Sequence, residues 1–194
     1  MDADTPQDPT LARLGAALGG LPKRGPAPVA MWNPPYCGEI DIRIAADGTW
    51  FHNGGPIRRE KMVRLFASIL RAEPDGSIRL VTPVEAVGIT VEDAPFVAVE
   101  MAVDGAGSER RISFRTNVDD LVAVGPDHPL RFEVGTGGAL KPYLLVRGGL
   151  WALVSRALTY DLVALAEERE SEGRLWLGLE AGGCFHRIAP AEVA

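Results

Sequence analysis

The chain has 194 residues, of which 46% are hydrophobic, and its formal net charge at pH 7 is −6. This length fits one large domain or two small domains packed together. The acidic balance argues against general nucleic-acid binding, because such binding needs a basic surface that displaces counterions. A local basic cluster could still hold a small anion.

The protein is predicted to be cytoplasmic. The first residues, Met1-Asp2-Ala3-Asp4, are acidic and lack the long apolar core of a signal peptide. No stretch approaches about 18 uncharged apolar residues, so no membrane span is expected. The two cysteines, Cys37 and Cys184, suit a reducing compartment. Two separate thiols are the expected arrangement, and a disulfide between them is the alternative.

Residues 1–30 are predicted to form an N-terminal arm ahead of the folded body. Apolar residues at positions 11, 14, 17 and 18 indicate one short helix. Gly19-Gly20 would end this helix, and the prolines at positions 22, 26 and 28 disfavour a second one. The segment from Trp32 to Tyr36 then opens the body.

The rest of the chain reads mainly as strands. Alternating or β-rich runs are separated by turn pairs such as Asp47-Gly48 and Asp104-Gly105, so most connections should be hairpins and most pairing antiparallel. The predicted strands cover 40–44, 78–81, 86–91, 96–103, 109–116, 121–124, 131–134, 143–146, 174–178 and 183–187.

Two amphipathic helices are predicted among these strands. The first ends at Leu70 and shows apolar residues at helical spacing from Met62 onward. The second runs from Leu150 to Ala166 on the same criterion. Four glutamates crowd its C-terminal end, where negative charge opposes the helix dipole, so that end is expected to fray before Gly173.

The order of these elements occurs twice. A strand, a glycine turn and an amphipathic helix occupy residues 40–70 and again residues 130–166. The prediction is an α+β fold of two tandem, structurally similar halves, each β-rich with one main helix. The halves are residues 31–124 and 125–194, divided near Gly125-Pro126. A groove where duplicated halves meet would be a natural ligand site.

No standard catalytic or phosphate-loop motif is present: the glycine-rich dinucleotide, Walker and nucleophile-elbow patterns are all missing. The histidines, His52, His128 and His186, are scattered. Cys184 and His186 share one strand face, but zinc normally needs at least three protein ligands. We therefore expect no metal and no cofactor.

Two arginine groups are candidate anion contacts. The first follows the loop His52-Asn53-Gly54-Gly55-Pro56, where Arg58 or Arg59 would act as a charged finger beside a helix start. The second is Arg147, before Gly148-Gly149. The alternative is that these arginines are ordinary solvated surface residues.

The segment Thr116-Asn117-Val118-Asp119-Asp120 is the densest polar cluster beside apolar strands. It would either hold a polar ligand or form an Asx-type turn. Its spacing does not match an EF-hand loop.

Several segments together resemble a proteobacterial family of uncharacterised proteins, domain-of-unknown-function family twelve-eighty-five. The resemblance covers about residues 31–190. The segments that carry it are Cys37-Gly38-Glu39-Ile40-Asp41-Ile42-Arg43-Ile44, Asp47-Gly48-Thr49-Trp50, Pro56-Ile57 with Arg59, Val63-Arg64-Leu65-Phe66, Leu80-Val81-Thr82-Pro83-Val84-Glu85, Val91-Glu92-Asp93-Ala94-Pro95-Phe96, Thr116-Asn117, His128-Pro129-Leu130 and Pro142-Tyr143 to Val146-Arg147.

The resemblance implies a duplicated α+β core whose C-terminal half is superficially similar to pleckstrin-homology domains. It also implies a ligand site in the groove between the halves, for a nucleotide-like molecule, with a role in signal transduction. It implies no enzymatic activity and supplies no catalytic residues.

The leading hypothesis is therefore a non-enzymatic module that binds a small anionic or nucleotide-like ligand. The predicted contacts are phosphate pairing by two arginines, hydrogen bonds from three polar residues, and stacking on an aromatic ring: Arg59, Arg147, Thr116, Asn117, His128, and Trp50 or Tyr143. The alternative is an adaptor that binds a partner protein by strand addition or through the arm. A third hypothesis is a hydrolase that uses His128 or His52.

Overall fold

The chain folds as two compact units, one ending at Glu92 and the other beginning at Asp93, with Ala46–Gly48 belonging to the second. We call them unit 1 and unit 2. The computed structural model describes residues 9–17 and 26–191. The predicted helix of the arm is present as α1, Pro9–Ala17. Residues 18–25, which include its predicted glycine stop, lie outside the described residues.

Unit 1 contains a six-stranded sheet in the order β3-β2-β1-β6-β5-β4. The central strands β1 and β6 are parallel, and the other pairs are antiparallel. The elements are β1 Tyr36–Ile44, β2 Trp50–His52, β3 Gly55–Pro56, α2 Glu60–Ser68, β4 Leu70–Ala72, β5 Ile78–Val81 and β6 Ala86–Val91, with a short 3₁₀ turn at Val29–Met31.

Unit 2 contains a second six-stranded sheet, in the order β10-β11-β12-β7-β8-β9, and a three-stranded sheet, β13-β14-β15. Here β12 and β7 form the central parallel pair. The elements are β7 Phe96–Asp104, β8 Arg111–Thr116, β9 Leu121–Ala123, β10 Leu130–Val134, β11 Leu140–Arg147, β12 Leu150–Val154, α3 Arg156–Val163, β13 Glu167–Ser171, β14 Arg174–Ala181 and β15 Cys184–Pro190; 3₁₀ turns lie at Gly107–Glu109 and Thr136–Gly138.

The two six-stranded sheets have the same topology. Each consists of two three-stranded meanders, and the first and sixth strands pair in parallel at the centre. The prediction of two similar, mainly antiparallel halves is confirmed. The equivalent strands differ from those predicted, because β1 corresponds to β7 and β4 corresponds to β10. The helices are not equivalent: α2 follows the third strand of its sheet, whereas α3 follows the sixth.

The division between the units also lies elsewhere than predicted. Gly125-Pro126, the predicted boundary, lies inside unit 2, where Gly125 bridges to His128 just before β10. The strands β7–β9 belong with β10–β12 because β12 pairs with β7, with Leu153 opposite Val97. A pairing between residues so far apart in the chain has no local sequence signal.

The second predicted helix is shorter than expected. Gly148 and Gly149 have φ values of 48° and 79°, which suit a two-residue hairpin turn, so the chain returns as strand β12. Leu150, Ala152 and Val154 are at most 2% exposed and alternate with half-buried residues, which is the strand period. The helix begins only at Arg156.

The acidic end that was expected to fray is strand β13, which pairs with β14 along its length. Buried Arg110 anchors its start, donating hydrogen bonds to the Leu165 carbonyl at 3.0 Å and to Glu167 at 2.8 Å. Cross-strand pairing and arginine partners therefore offset the glutamate repulsion.

Each unit has its own apolar core. In unit 1, the α2 residue Phe66 packs against Trp50, with their ring centroids 6.4 Å apart, and Leu14 of α1 is fully buried. In unit 2, Phe96, Phe114 and Leu144 are at most 1% exposed. Cys37 and Cys184 are both free thiols.

Within the described ranges, no helix has the length and apolar character needed to cross a membrane.

Candidate functional site

The seven residues predicted to contact a ligand are divided between the units. Trp50 and Arg59 belong to unit 1, and the other five belong to unit 2. Trp50 is 1% exposed, so its ring is part of the core and offers no face on which a base could stack. Among the described residues, its Nε1 has no hydrogen-bond partner. Arg59 is exposed and immediately precedes α2.

Thr116 and Asn117 have structural contacts. The Thr116 hydroxyl, fully buried, accepts hydrogen bonds from the backbone N–H groups of Val118 at 3.3 Å and Asp120 at 3.1 Å. Asn117 Oδ1 accepts from the Val97 N–H at 3.0 Å, and its Nδ2 donates to the Gly48 carbonyl at 3.4 Å. The polar segment is therefore a side-chain-stabilised turn, which was the alternative interpretation.

Arg147 and His128 lie at the same end of the large sheet of unit 2 as that turn. Arg147 forms an ion pair with Asp120, and its guanidinium lies 4.7 Å from the Phe96 ring centroid. The His128 ring contacts the Leu145 carbonyl through Nδ1 at 3.0 Å. The structure thus brings four of the predicted residues to one end of the sheet. Their polar groups form hydrogen bonds or an ion pair with other residues of the protein.

The fifth residue, Tyr143, belongs to a different group. Its hydroxyl donates a hydrogen bond of 2.7 Å to Asp93 Oδ1, and Lys141 Nζ lies 2.6 Å from Asp93 Oδ2. Tyr143 is 5% exposed, and burial, followed by the hydrogen bond to Asp93, raises its pKa well above the usual range. The phenol therefore stays protonated.

Arg131 lies over this tyrosine. Its guanidinium carbon is 4.9 Å from the Tyr143 ring centroid and 4.2 Å from that of Trp151. Its Nε lies 3.2 Å from the Glu133 carboxylate, and 46% of its side chain is exposed. We call the five residues Asp93, Arg131, Lys141, Tyr143 and Trp151 the β11 cluster.

Strand register explains why these side chains meet. Arg131 pairs with Tyr143, and Glu133 pairs with Lys141, across the antiparallel β10–β11 ladder. Because side chains alternate along a strand, these residues share one face of the sheet. The opposite face carries Leu130 and Leu144, which are 7% and 0% exposed and belong to the core.

The β11 cluster contains a preorganised cation. Two aromatic rings hold the Arg131 guanidinium by cation–π contacts, Glu133 is paired with its Nε, and nearly half of the side chain is exposed. Such a planar group suits a carboxylate or a phosphate. Within residues 9–17 and 26–191, no group of three or more His, Cys, Asp or Glu side chains is placed to hold a metal ion.

Sequence reasoning identified only Tyr143 of this cluster. Arg131 and Lys141 did carry a sequence signal. Arg131 and Glu133 occupy every second position of one predicted strand, and Lys141 and Tyr143 do so in the neighbouring strand. The helix that the sequence predicts over residues 150–154 would place the Trp151 ring on a different surface, so sequence reasoning does not select Trp151.

Comparisons with known proteins agree on one family. Residues 27–94 match the model described as "Domain of unknown function (DUF1285), N-terminal domain". Residues 95–188 match "Protein of unknown function (DUF1285), C-terminal domain". The two matches meet within three residues of the division between units 1 and 2. No curated protein gives a significant match.

Two crystal structures are similar to the chain. A DUF1285 family protein from Silicibacter pomeroyi DSS-3 is 45% identical with a TM-score of 0.84, over 92% of this chain and 95% of that one. A DUF1285 family protein from Shewanella baltica OS155 is 30% identical with a TM-score of 0.49, over 63% of this chain and 90% of that one. The chain therefore belongs to the DUF1285 family.

Proposed function

We propose that unit 2 is a non-enzymatic module that binds a small anionic ligand at the β11 cluster, with Arg131 as the principal contact. One observation carries the proposal. The Arg131 guanidinium is stacked 4.2 Å from Trp151 and 4.9 Å from Tyr143, while nearly half of the side chain remains exposed.

This geometry favours binding because the Arg131 side chain has already lost much of the conformational entropy that ligand binding would otherwise remove. A free arginine loses considerable rotamer freedom when a ligand fixes it. The two rings restrict the guanidinium before any ligand arrives, and the 46% of the side chain that is exposed allows its terminal N–H groups to form paired hydrogen bonds with two oxygens. Lys141, which is 40% exposed, adds a second cation on the same face.

The ligand class follows from the same surface. A phosphate or carboxylate would pair with Arg131, and a planar ring attached to it would contact the edge of the half-buried Trp151, because the guanidinium already lies over the face of that ring. A nucleotide-like molecule has both groups. This choice retains the ligand class expected from the sequence but moves the main contact from Arg59 and Arg147 to Arg131.

A binding role fits the chemistry of the cluster better than catalysis does. Tyr143, the phenol beside the exposed cation, has a raised pKa and already donates its proton to Asp93, so it is a poor general base. Both oxygens of the Asp93 carboxylate are engaged by the cluster itself. We also propose that ligand binding at the cluster serves signal transduction.

The test is a thermal-shift titration of the full chain with nucleoside monophosphates and with orthophosphate. A ligand that binds only the folded protein raises the melting temperature in a dose-dependent way. We expect such a rise with a nucleotide, and we expect Arg131→Gln to weaken the affinity at least about tenfold, as loss of a charged hydrogen-bonding partner does.

Arg111→Gln is the matched control, because Arg111 is an exposed arginine on another strand of the same sheet. It should leave the titration unchanged. The proposal is wrong if the whole panel gives a flat response, or if Arg131→Gln and Arg111→Gln behave alike.

A further inference from the structure

Helix α1 docks on unit 1 through a leucine and an ion pair. Leu14 is completely buried, whereas its neighbours Ala12, Arg13 and Ala16 are exposed. A helix of nine residues cannot cover a leucine by itself, so Leu14 fills a recess that the rest of the chain supplies. α1 therefore binds in the same way as a short peptide binds to a folded surface.

The ion pair joins α1 to a carboxylate that is nearly withdrawn from solvent. Arg13 Nε donates a hydrogen bond of 3.0 Å to Glu85 Oε1, and the two side chains are 58% and 9% exposed. Among the described residues, Arg13 is the only cation paired with Glu85. A buried carboxylate without a counter-ion is strongly unfavourable, so Glu85 requires a cation beside it.

The turn that carries Glu85 is closed by its own hydrogen bonds. The Thr82 N–H donates to the Glu85 carbonyl at 2.9 Å, and Thr82 Oγ1 accepts from the Glu85 N–H at 3.1 Å. Thr82 is itself fully buried. Neither of these hydrogen bonds involves α1, so the turn holds the Glu85 backbone in place independently of that helix.

Exposed apolar surface lies beside this turn. Val84, the residue before Glu85, is 66% exposed, and Tyr36 is 48% exposed. The β1–β6 pairing places Tyr36 opposite Ala86, the residue after Glu85, so both side chains belong to the same region of unit 1. We call Tyr36, Val84 and Glu85 the Glu85 surface. It offers more apolar area than α1 covers.

The other charged groups near this surface have partners of their own. The Arg79 guanidinium lies 4.4 Å from the Tyr36 ring centroid and 3.8 Å from the Glu73 carboxylate. The Tyr36 hydroxyl donates a hydrogen bond to Glu39. Glu85 is thus the group that loses its counter-ion when α1 leaves. One cation, rather than a basic patch, would restore the balance.

α1 is too short to persist as an isolated helix. Helices of fewer than about 12 residues are marginal in water, and Gly15 near the middle of α1 weakens this one further. Its helical form therefore depends on docking. A second helix that offers a leucine and a cation at the same spacing would compete with it directly.

We propose that the Glu85 surface is a docking site for an amphipathic helix of a partner protein, and that α1 occupies the site until such a helix displaces it. The partner helix carries a leucine preceded by an arginine or lysine, as α1 does at Arg13 and Leu14. The leucine enters the recess and the cation pairs with Glu85, while further apolar residues contact Val84 and Tyr36.

The test measures fluorescence anisotropy of a labelled peptide with the sequence of residues 7–19, titrated with the full chain. In the wild-type chain α1 competes at high effective concentration, so binding should be weak. Arg13→Gln in the chain should strengthen peptide binding about three- to tenfold, and Leu14→Ser at least about tenfold, since each releases α1. Arg58→Gln, at an exposed arginine of unit 1, is the matched control and should leave binding unchanged.

A double-mutant cycle then tests the contact with Glu85. In the Arg13→Gln chain, the further change Glu85→Gln should weaken binding of the unmodified peptide about three- to tenfold. A peptide that itself carries Arg13→Gln should bind more weakly to the Arg13→Gln chain, and Glu85→Gln should weaken its binding no further. A peptide of the same composition in scrambled order should not bind.

Three outcomes would overturn the proposal. The first is the same peptide affinity, including none, in the wild-type and Arg13→Gln chains; Arg13 is exposed, so this comparison stands even if Leu14→Ser impairs folding. The second is additive effects in the double-mutant cycle. The third is a wild-type chain that elutes as a dimer in size-exclusion chromatography and as a monomer in Arg13→Gln, which would assign the surface to α1 of a second copy.

Discussion

The Tyr143 hydroxyl donates a hydrogen bond of 2.7 Å to Asp93, a residue 50 positions earlier in the chain and the first of unit 2 after Glu92. The same carboxylate receives Lys141 at 2.6 Å. Tyr143 thus links the start of unit 2 to strand β11 of its large sheet. Its ring also packs against the Arg131 guanidinium.

Removing this hydroxyl should destabilise unit 2. Tyr143→Phe leaves one oxygen of the largely buried Asp93 carboxylate without its donor, and hydrogen bonds to charged groups contribute about 1.5–3 kcal/mol. We therefore expect the free energy of unfolding, measured by urea denaturation, to fall by about 1–3 kcal/mol. Tyr160→Phe, at a tyrosine that is 65% exposed, should change little. Equal effects of the two substitutions would contradict the role given to Asp93.

His186 should make stability depend on pH. Burial lowers its pKa below the ordinary value of 6.5, and in the neutral form its Nδ1 accepts a hydrogen bond of 3.3 Å from the Leu130 N–H while Nε2 donates to the Ala181 carbonyl. The nearby Glu180 carboxylate opposes this lowering without cancelling it.

The sign follows from proton linkage. Below about pH 6.5 the unfolded chain takes up a proton at this histidine and the folded chain does not, so stability falls as the pH drops from about 6.5 toward the lowered folded pKa. Urea unfolding across this range should show that loss, and His186→Gln should flatten it. A profile that is equally steep in His186→Gln would show that other groups cause the dependence.

Arg110 should contribute more to the stability of the fold than its exposed partner Glu167 does. It is 8% exposed and donates hydrogen bonds to the Leu165 carbonyl and to Glu167, the first residue of β13. Arg110→Met should lower the free energy of unfolding by about 1–3 kcal/mol, because it leaves the partly buried Leu165 carbonyl without this donor. Glu167→Gln should cost less, since the Glu167 side chain is 60% exposed. The reverse order in chemical denaturation would contradict this account of β13.

The turn between β11 and β12 should require glycine. Gly149 has a φ of 79°, a conformation that costs other residues about 1–2 kcal/mol, so Gly149→Ala should destabilise by that amount. Gly15→Ala is a useful contrast, because Gly15 lies in α1 with nothing within 4 Å of the added methyl group. This second change should be neutral or stabilising in thermal denaturation, and a destabilisation equal to that of Gly149→Ala would argue against the turn assignment.

The sequence predicted the local elements well where one physical signal dominated. Alternation and glycine turns located most strands, including β7 at 96–104 and β14 at 174–181, and the helical spacing after Met62 located α2. The signal failed at 150–154, because Leu150 and Leu153 have helical spacing while Leu150, Ala152 and Val154 have strand alternation. There the paired glycines, which reverse the chain, decided the structure.

The candidate site was only partly predictable. Tyr143 could be selected as a polar aromatic residue in a strand, but its neighbours Asp93 and Trp151 come from other strands or connections. Thr116 and Asn117 were predicted to be ligand contacts because they are polar and lie beside apolar strands. The structure shows that this polarity satisfies backbone groups of the turn and of β7.

By itself, the sequence determined the family and the mainly antiparallel character, because hydrophobic period, turn chemistry and short motifs are local properties of the chain. It also predicted two similar halves, although the elements that it matched to each other are not equivalent in the structure. Only the tertiary structure decided which strands pair. The parallel contacts of β1 with β6 and of β12 with β7 join segments separated by many residues, and burial of a shared core selects them. That choice assigned β7–β9 to unit 2 and brought Arg131 against Tyr143 and Trp151.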